Sequence, residues 1–574
     1  MCLSEAKGMD IIMKRRLSPV LLVLALIVLV MAVGIITVLV KRYTPSGQRM
    51  DGAEYFSLNG EDEAALVVDN ELMEEKARIF DGRYYLEYSA VGTYINDRFY
   101  WDSQQQAVLY TLPTETLRIM PDTQEYQSSQ GTQSTDYVIL RSEGDSYYLA
   151  LDFVQAYSDM ECETYEEPSR LVIRTQWEEA SMVTAEKDTQ LRQKGGIKSI
   201  IVDDVAKGEQ LYLLEAMDNW SKVSTQDGYT GYIQNDCISE AQQVAFSHES
   251  ALPEYTSIRK DYKINLAWHQ MTTTDGNATL AEVLEGTQGL TTISPTWFSI
   301  ADNSGNITSL ASADYVNQAH SMGLEVWGLI DNFNPEVDTL TVLSSTQARS
   351  NLISQLMAQV DAVGLDGINV DLESITEEQG PHYVQFIREL SVACRNKGIV
   401  LSVDNPVPMP YSTHYNRKEQ GIVADYVINM GYDEHHSGDS EAGSVASLGF
   451  VRQSIEDTLK EVPAEKTINA IPFYTRLWKE PYGGGNLSSE VLGMDGASNF
   501  ISQNGMDVYW DEEAGQNVGT LDGEDGLYSI WVEDEQSVEA KMKLVQEYQL
   551  AGVAEWKLGF ERDTVWPIIS QYLQ

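Results

Sequence analysis

The C-terminal half of the chain alternates two hydrophobic patterns. Short apolar runs predict strands at 263–268 (KINLAW), 290–298 (LTTISPTWF), 325–330 (EVWGLI), 366–373 (DGINVDLE), 399–404 (IVLSVD), 426–432 (YVINMGY), 467–473 (TINAIPF) and 552–558 (GVAEWKL). Between them apolar residues recur at helical spacing. One helix is expected over 346–363, with Leu352, Ile353, Leu356, Met357 and Val360 on one face. Another is expected from Pro381 to Lys397, stopping at Gly398. Eight strands, each followed by a helix, predict an α/β fold, a (β/α)8 barrel. The span 257–574, about 318 residues, is long for such a barrel. The excess lies in an insertion at 474–534, where DVYWDEEAGQ and GLYSIWVED read as a hairpin.

The N-terminal half reads differently. Over 61–178, Tyr, Val, Leu and Ile alternate with polar residues between Asp-Gly and Gly-Asp turns, which predicts a β-rich domain of hairpins. A compact β unit follows at 183–240, then a linker at 241–256. Residues 43–60 are polar and read as a stalk. Residues 17–40 carry no charge, and as a helix would span ~36 Å, enough to cross a bilayer. Lys14, Arg15 and Arg16 precede this run and Lys41 and Arg42 follow it. It is too long for a signal-peptide core and no A-x-A site follows, so it reads as an uncleaved signal anchor with residues 1–16 in the cytoplasm.

Composition narrows the partners. The 574 residues include 39 Lys plus Arg and 87 Asp plus Glu, a net charge of −48. That field excludes nucleic acid as a partner and is compatible with neutral sugars. Four cysteines make no disulfide framework: Cys2 precedes the anchor, and Cys162, Cys237 and Cys394 read as small apolar groups.

The chemistry concentrates in DGINVDLES, Asp366 to Ser374. Period two sends Ile368, Val370 and Leu372 to one face of the strand and Asn369, Asp371 and Glu373 to the other. Active sites of such barrels form at the C-terminal strand ends, so Glu373 belongs at the mouth with Asp371 and Asn369 below it. Two carboxylates buried this close cannot both ionise, and a carboxyl that keeps its proton is what a general acid requires. Solvated surface acids would not need the apolar alternation. A calcium loop is excluded by spacing: from Asp366 the third position is Ile368, and from Asn369 the sixth is Ser374. No metal is predicted.

DGINVDLE resembles the DGxDxDxE signature of glycoside hydrolase family 18, the chitinase-like enzymes. MGYD (Met430 to Asp433) resembles the family's MxYD at the sixth strand. PFYTR (Pro472 to Arg476) resembles the segment ending the seventh strand, and Trp556 in AEWKL resembles the tryptophan ending the eighth. SPTWF and YDEHH resemble the branch of spore-cortex and cell-wall glucosaminidases. This resemblance covers about 257–574. The unit at 183–240 resembles a bacterial SH3-type domain, and 61–178 resembles the copper-amine-oxidase N-terminal-like domain, here without a His cluster for copper.

The resemblance implies a substrate-assisted glycosidase, an exception to two-carboxylate catalysis that needs no cofactor. Glu373 would protonate the leaving oxygen. Asp371 would accept the acetamide N–H, Tyr432 would donate to its carbonyl, and Trp556 would floor the subsite. Asn369, Met430, Asp433 and Arg476 are further substrate-binding candidates, with a structural salt bridge as the other reading for Asp433 and for Arg476. Asn369 departs from the signature, which has Asp there. The implied partner is an N-acetylglucosamine-containing polysaccharide, peptidoglycan or chitin-like, with 183–240 either meeting the cell wall or serving as a spacer. The implied location is the membrane of a Gram-positive bacterium, single-pass, with the catalytic domain extracytoplasmic. The rival readings are a non-catalytic amino-sugar lectin and a surface scaffold.

Overall fold

A computed structural model of the protein describes residues 19–248 and 252–574. The predicted cytoplasmic segment 1–16, the first two residues of the predicted anchor and part of the 241–256 linker lie outside the described residues. By its contacts the chain forms two units, one of residues up to 95 with 143–252, the other of 96–142 with 253–574.

The first unit begins with a helix, Pro19–Tyr43, whose Val20–Tyr43 portion is long and apolar enough to cross a membrane. The residues after it do not form a free stalk. Ser46 N–H donates to Ile197 O and Met50 N–H to Ile201 O, Arg49 pairs with Asp204, and Phe56 is buried. This unit holds strand Glu63–Val68 paired parallel with Arg170–Arg174. It also holds the antiparallel sheet of residues 180–244. The two sheets share one core, in which Phe56, Ala65 and Val67 pack with Val183, Leu191 and Val223. Cys237 is buried, Cys162 half-buried, and both thiols are unpaired.

The second unit contains the barrel. Its strands are β1 (Ile264–His269), β2 (Thr292–Pro295), β3 (Glu325–Asp331), β4 (Gly367–Asp371), β5 (Val400–Pro406), β6 (Tyr426–Met430), β7 (Thr467–Pro472) and β8 (Gly552–Trp556). All neighbours pair parallel, and β1 closes onto β8 with Leu266 opposite Ala554. Leu266, Trp268, Trp327, Leu329, Ile428 and Ala470 fill the interior. Ile368, Val370, Leu401 and Val403 point outward against Leu352, Leu356, Phe386 and Leu390 of the covering helices. The two predicted helices form as Thr346–Val363 and Gly380–Lys397. The first is capped by the Ser345 hydroxyl, and the two end at Gly364 and Gly398 in the left-handed conformation that glycine adopts without strain.

Two features exceed the sequence pattern. Segment 474–534 is a five-stranded antiparallel sheet with a helix, Met494–Asn504, rather than a hairpin. DVYWDEEAGQ supplies strand Val508–Asp511 and the turn into its partner Gln516–Asp522, and GLYSIWV joins that pair to the extension of PFYTR, with Leu477 opposite Ile530. Segment 96–142, expected inside the 61–178 domain, is a five-stranded meander that packs on the barrel helices. Glu419, 5% exposed, accepts from both Arg98 and Arg388. Arg349 donates to Tyr100, and Gln385 to Thr111. Alternation in an antiparallel strand fixes which face is apolar, but does not name the surface that covers it.

Candidate active site

The central strand of the site is β4, with Asn369 opposite Leu329 on β3 and Ser402 on β5. Because Ile368, Val370 and Leu372 join the outer core, Asn369 and Asp371 point into the barrel. Glu373 lies two residues past the strand end and is half-buried. Its backbone is clamped by one side chain. Glu373 N–H donates to Asn332 Oδ1 at 2.9 Å, and Asn332 Nδ2 donates to Glu373 O at 3.0 Å. Ser374, immediately after, has φ of 55°, and Asp433, immediately after Tyr432, has φ of 58°. Non-glycine residues held in this region cost free energy and cluster at functional sites.

Beneath Glu373 the polar groups are dry. Asn369 is fully buried and uses its whole amide. Its Oδ1 accepts from Trp268 Nε1 at 2.9 Å and from Ser294 Oγ at 3.0 Å. Its Nδ2 donates to Ser402 Oγ at 3.1 Å and to Asp404 Oδ1 at 2.7 Å. An indole N–H can only donate, so Trp268 settles which way the amide points. Asp371 is buried, and its Oδ1 has no hydrogen-bond partner among the described residues.

Electrostatics follow from this enclosure. Burial, then the charges of Asp404, Glu373 and Asp331, push the Asp371 carboxyl well above the usual range. Burial, with Asp433 and Asp331, also raises Glu373. Asp404 is raised by burial and by Glu373, against the lowering effect of its bond from Asn369. Each of these shifts favours the protonated carboxyl, which suits proton donation.

The remaining predicted residues stand at neighbouring strand ends. Tyr432 follows β6, and burial raises its phenol, with Tyr474, Asp371, Asp404 and Glu373 adding to the effect. Met430 ends β6, half-buried, opposite Ala470. Trp556 ends β8, half-buried, with its ring 5.9 Å from that of Trp268. Asp433 and Arg476 pair with each other at 3.9 Å. Asp433 also accepts from Tyr474 at 2.5 Å, while Arg476 donates to Ser489 at 3.1 Å. Among the described residues no group of three or more His, Cys, Asp or Glu is placed to hold a metal.

Sequence reasoning missed Asn332, Ser294, Ser402 and Asp404. For Ser402 and Asp404 a signal existed: in LSVD they alternate with Leu401 and Val403, the same period two that exposed β4.

The family model described as "Glycosyl hydrolases family 18" matches residues 267–561, and that described as "Bacterial SH3 domain" matches 187–239. YdhD of Bacillus subtilis (strain 168), described as a sporulation-specific glycosylase, is 29% identical over 221 residues, covering 38% of this chain and 52% of that one. The cortical fragment-lytic enzyme of the same organism is 26% identical over 237 residues, covering 40% and 54%. The chain thus spans about half the length of these two curated relatives. A C-terminal domain from Desulfitobacterium hafniense DCB-2 superposes with a TM-score of 0.50 at 20% identity, covering 55% of this chain and all of that one, which shows the shared fold. The family model extends over just over half of the chain, and the matched range takes in β4 and the strand-end residues described above: the chain belongs to glycosyl hydrolases family 18.

Proposed function

We propose that the protein is an extracytoplasmic, membrane-anchored glycosidase that hydrolyses β-1,4 linkages beside N-acetylglucosamine in cell-wall or chitin-like glycans. The observation that carries this reading is the placement of Glu373, clamped by Asn332 at the barrel mouth above the buried Asp371, where burial raises its carboxyl. Glu373 gives its proton to the glycosidic oxygen as the bond from C1 to that oxygen breaks. The acetamide carbonyl oxygen of the same sugar bonds to C1, forming an oxazolinium ion, while Asp371 accepts the acetamide N–H. Tyr432 donates to the acetamide oxygen and Trp556 supports the sugar face. Water then attacks C1 from the original side as the bond from C1 to the acetamide oxygen breaks and the acetamide re-forms; the water gives a proton to Glu373, and the configuration is retained.

Wall glycan as substrate is supported by the cortical fragment-lytic relative and by the SH3-type unit. That unit carries a cavity of about 640 Å³ lined by Asp188, Gln190, Arg192, Trp220 and Gln234, suited to a polar polymer segment. Helix Pro19–Tyr43 supports anchorage.

The test is digestion of purified peptidoglycan and of N-acetylglucosamine oligomers by the full chain in detergent, with products identified by mass. Glu373→Gln removes the transferable proton at constant size and is expected to lower product release 10²–10⁴-fold while sugar binding persists. Wild-type protein that binds these oligomers without releasing product from any β-1,4 substrate would make the barrel a lectin.

A further inference from the structure

Asp404 is a buried acid of the barrel interior that the proposed chemistry does not use. It is 2% exposed and lies on β5, one residue past the pair Val370–Val403 that fixes the register with β4. Ser402 and Asp404 therefore share the inward face with Asn369 and Asp371, on strands about 4.8 Å apart. The hydrogen bonds distinguish the two acids. Asp404 receives an amide N–H at 2.7 Å, whereas Asp371 Oδ1 receives none among the described residues. The amide cannot reverse, because Trp268 presents only a donor to Asn369 Oδ1. A carboxylate with a fixed donor is the favoured place for negative charge, and a carboxyl without one is the favoured place for a proton.

We infer that Asp404 is a positioning residue for the Glu373–Asp371 pair: of these three coupled carboxyls it is the one given a fixed N–H donor, so the negative charge they share is localised on β5, locked onto Asn369, and the β4 carboxyls keep the protons. The inference rests on the glycosidase reading and deepens it. It also gives Asn369 a reason. An aspartate at 369 would put two carboxyl oxygens at the 2.7 Å now spanned by N–H···O, and such a pair must share a proton. With an amide at 369 the charge resides at 404 alone. The groups that face Asp404 are Asn369, Asp371 and Glu373 from β4 and its end, Tyr383 from helix Gly380–Lys397, and Tyr432 from the end of β6. None of these is a cation; Arg417 acts on Tyr383.

The sign of the effect is fixed. Removing the charge lets Glu373 lose its proton at lower pH, so the alkaline limb of kcat/KM moves down. For unit charges on adjacent strands the shift is on the order of one pH unit or more, which lowers kcat/KM about 10-fold or more on the alkaline side of the limb. The experiment compares pH profiles of the full chain for wild type, Asp404→Asn, Asn369→Asp and the double variant Asn369→Asp/Asp404→Asn, using N-acetylglucosamine oligomers. The double variant moves the charge across one hydrogen bond. The expected result is a lowered alkaline limb for Asp404→Asn, restored in the double variant, with Asn369→Asp close to wild type because its pair shares one proton. A limb unmoved by Asp404→Asn, or moved and not restored by the double variant, overturns the inference. Should Asp404→Asn not fold, the double variant decides: a wild-type limb supports the inference and a lowered limb overturns it. A wild type that releases no product overturns the glycosidase reading and this inference with it. An active wild type abolished by Glu373→Gln but indifferent to charge at 404 overturns this inference alone.

Discussion

Glu419 offers a test of why segment 96–142 belongs with the barrel. Its carboxylate accepts from Arg98 Nε and Nη2 at 3.1 and 3.0 Å and from Arg388 Nε at 2.7 Å. Arg98 comes from the meander and Arg388 from a barrel helix, so one buried acid joins the two. Glu419→Gln preserves size and removes the charge, leaving two guanidinium groups facing an amide. Breaking a buried ion pair from one side costs about 3–5 kcal/mol. Arg388 keeps Asp97 at 3.3 Å and Arg98 keeps the Tyr255 ring at 4.7 Å, so the lower end, about 3 kcal/mol, is expected. The assay is amide hydrogen exchange in strands Phe99–Asp102 and Ala107–Thr111, which reads local opening directly. About 3 kcal/mol corresponds to exchange faster by on the order of 10²-fold. Burial alone would raise the Glu419 carboxyl, but Arg388 and Arg98 outweigh it and hold it below its usual range. A lowered carboxyl contributes stability that is present above the unfolded value, about 4.3, and is lost as pH falls through the lower folded value. The difference between wild type and variant should therefore shrink on acidification below about pH 4. Exchange in these strands unchanged by Glu419→Gln at neutral pH would refute the reasoning.

Asn332→Ala removes both bonds to the Glu373 backbone and is expected to lower kcat about 10-fold or more with little change in KM, read by steady-state kinetics on oligomers. Lys541 and Glu533 are 1% and 0% exposed and pair at 2.9 Å, so Lys541→Met leaves a buried charge and should destabilise the barrel by about 3 kcal/mol or more, read by denaturant unfolding of the second unit. Trp220→Ala should weaken retention on cell-wall sacculi while leaving oligomer cleavage near normal; equal retention would make the SH3-type unit a spacer. Protease added to intact protoplasts should degrade the barrel, and protection of it would reverse the proposed orientation.

The barrel was legible because each strand carries a strong local signal. INVDLE states in six residues which face is core and which face is chemistry, and the outer core confirms the assignment for Ile368, Val370 and Leu372. Asp404 carries the same period but stands beside a serine, so nothing local marks it as part of a carboxyl cluster; only the pairing of β4 with β5 brings it to Asn369. Asn332 is silent in sequence because it works through backbone groups of a residue far along the chain. Strand pairing beyond hairpins is equally silent: Glu63–Val68 pairs with Arg170–Arg174, and segment 96–142 finds its cover on helices hundreds of residues away.

The junction after helix Pro19–Tyr43 has a geometric consequence. Lys198 Nζ binds the carbonyls of Lys41 and Thr44, and residues 46–50 run hydrogen-bonded along 197–201, so no slack chain separates the helix from the SH3-type unit. With the helix in a bilayer, that unit is fixed at the lipid surface like a boss on a plate rather than a float on a line. Its encounters with a polymer network are then governed by area and not by volume. Lengthening residues 44–50 with a flexible insert would alter which depth of a wall the molecule can reach, with every residue of the barrel unchanged.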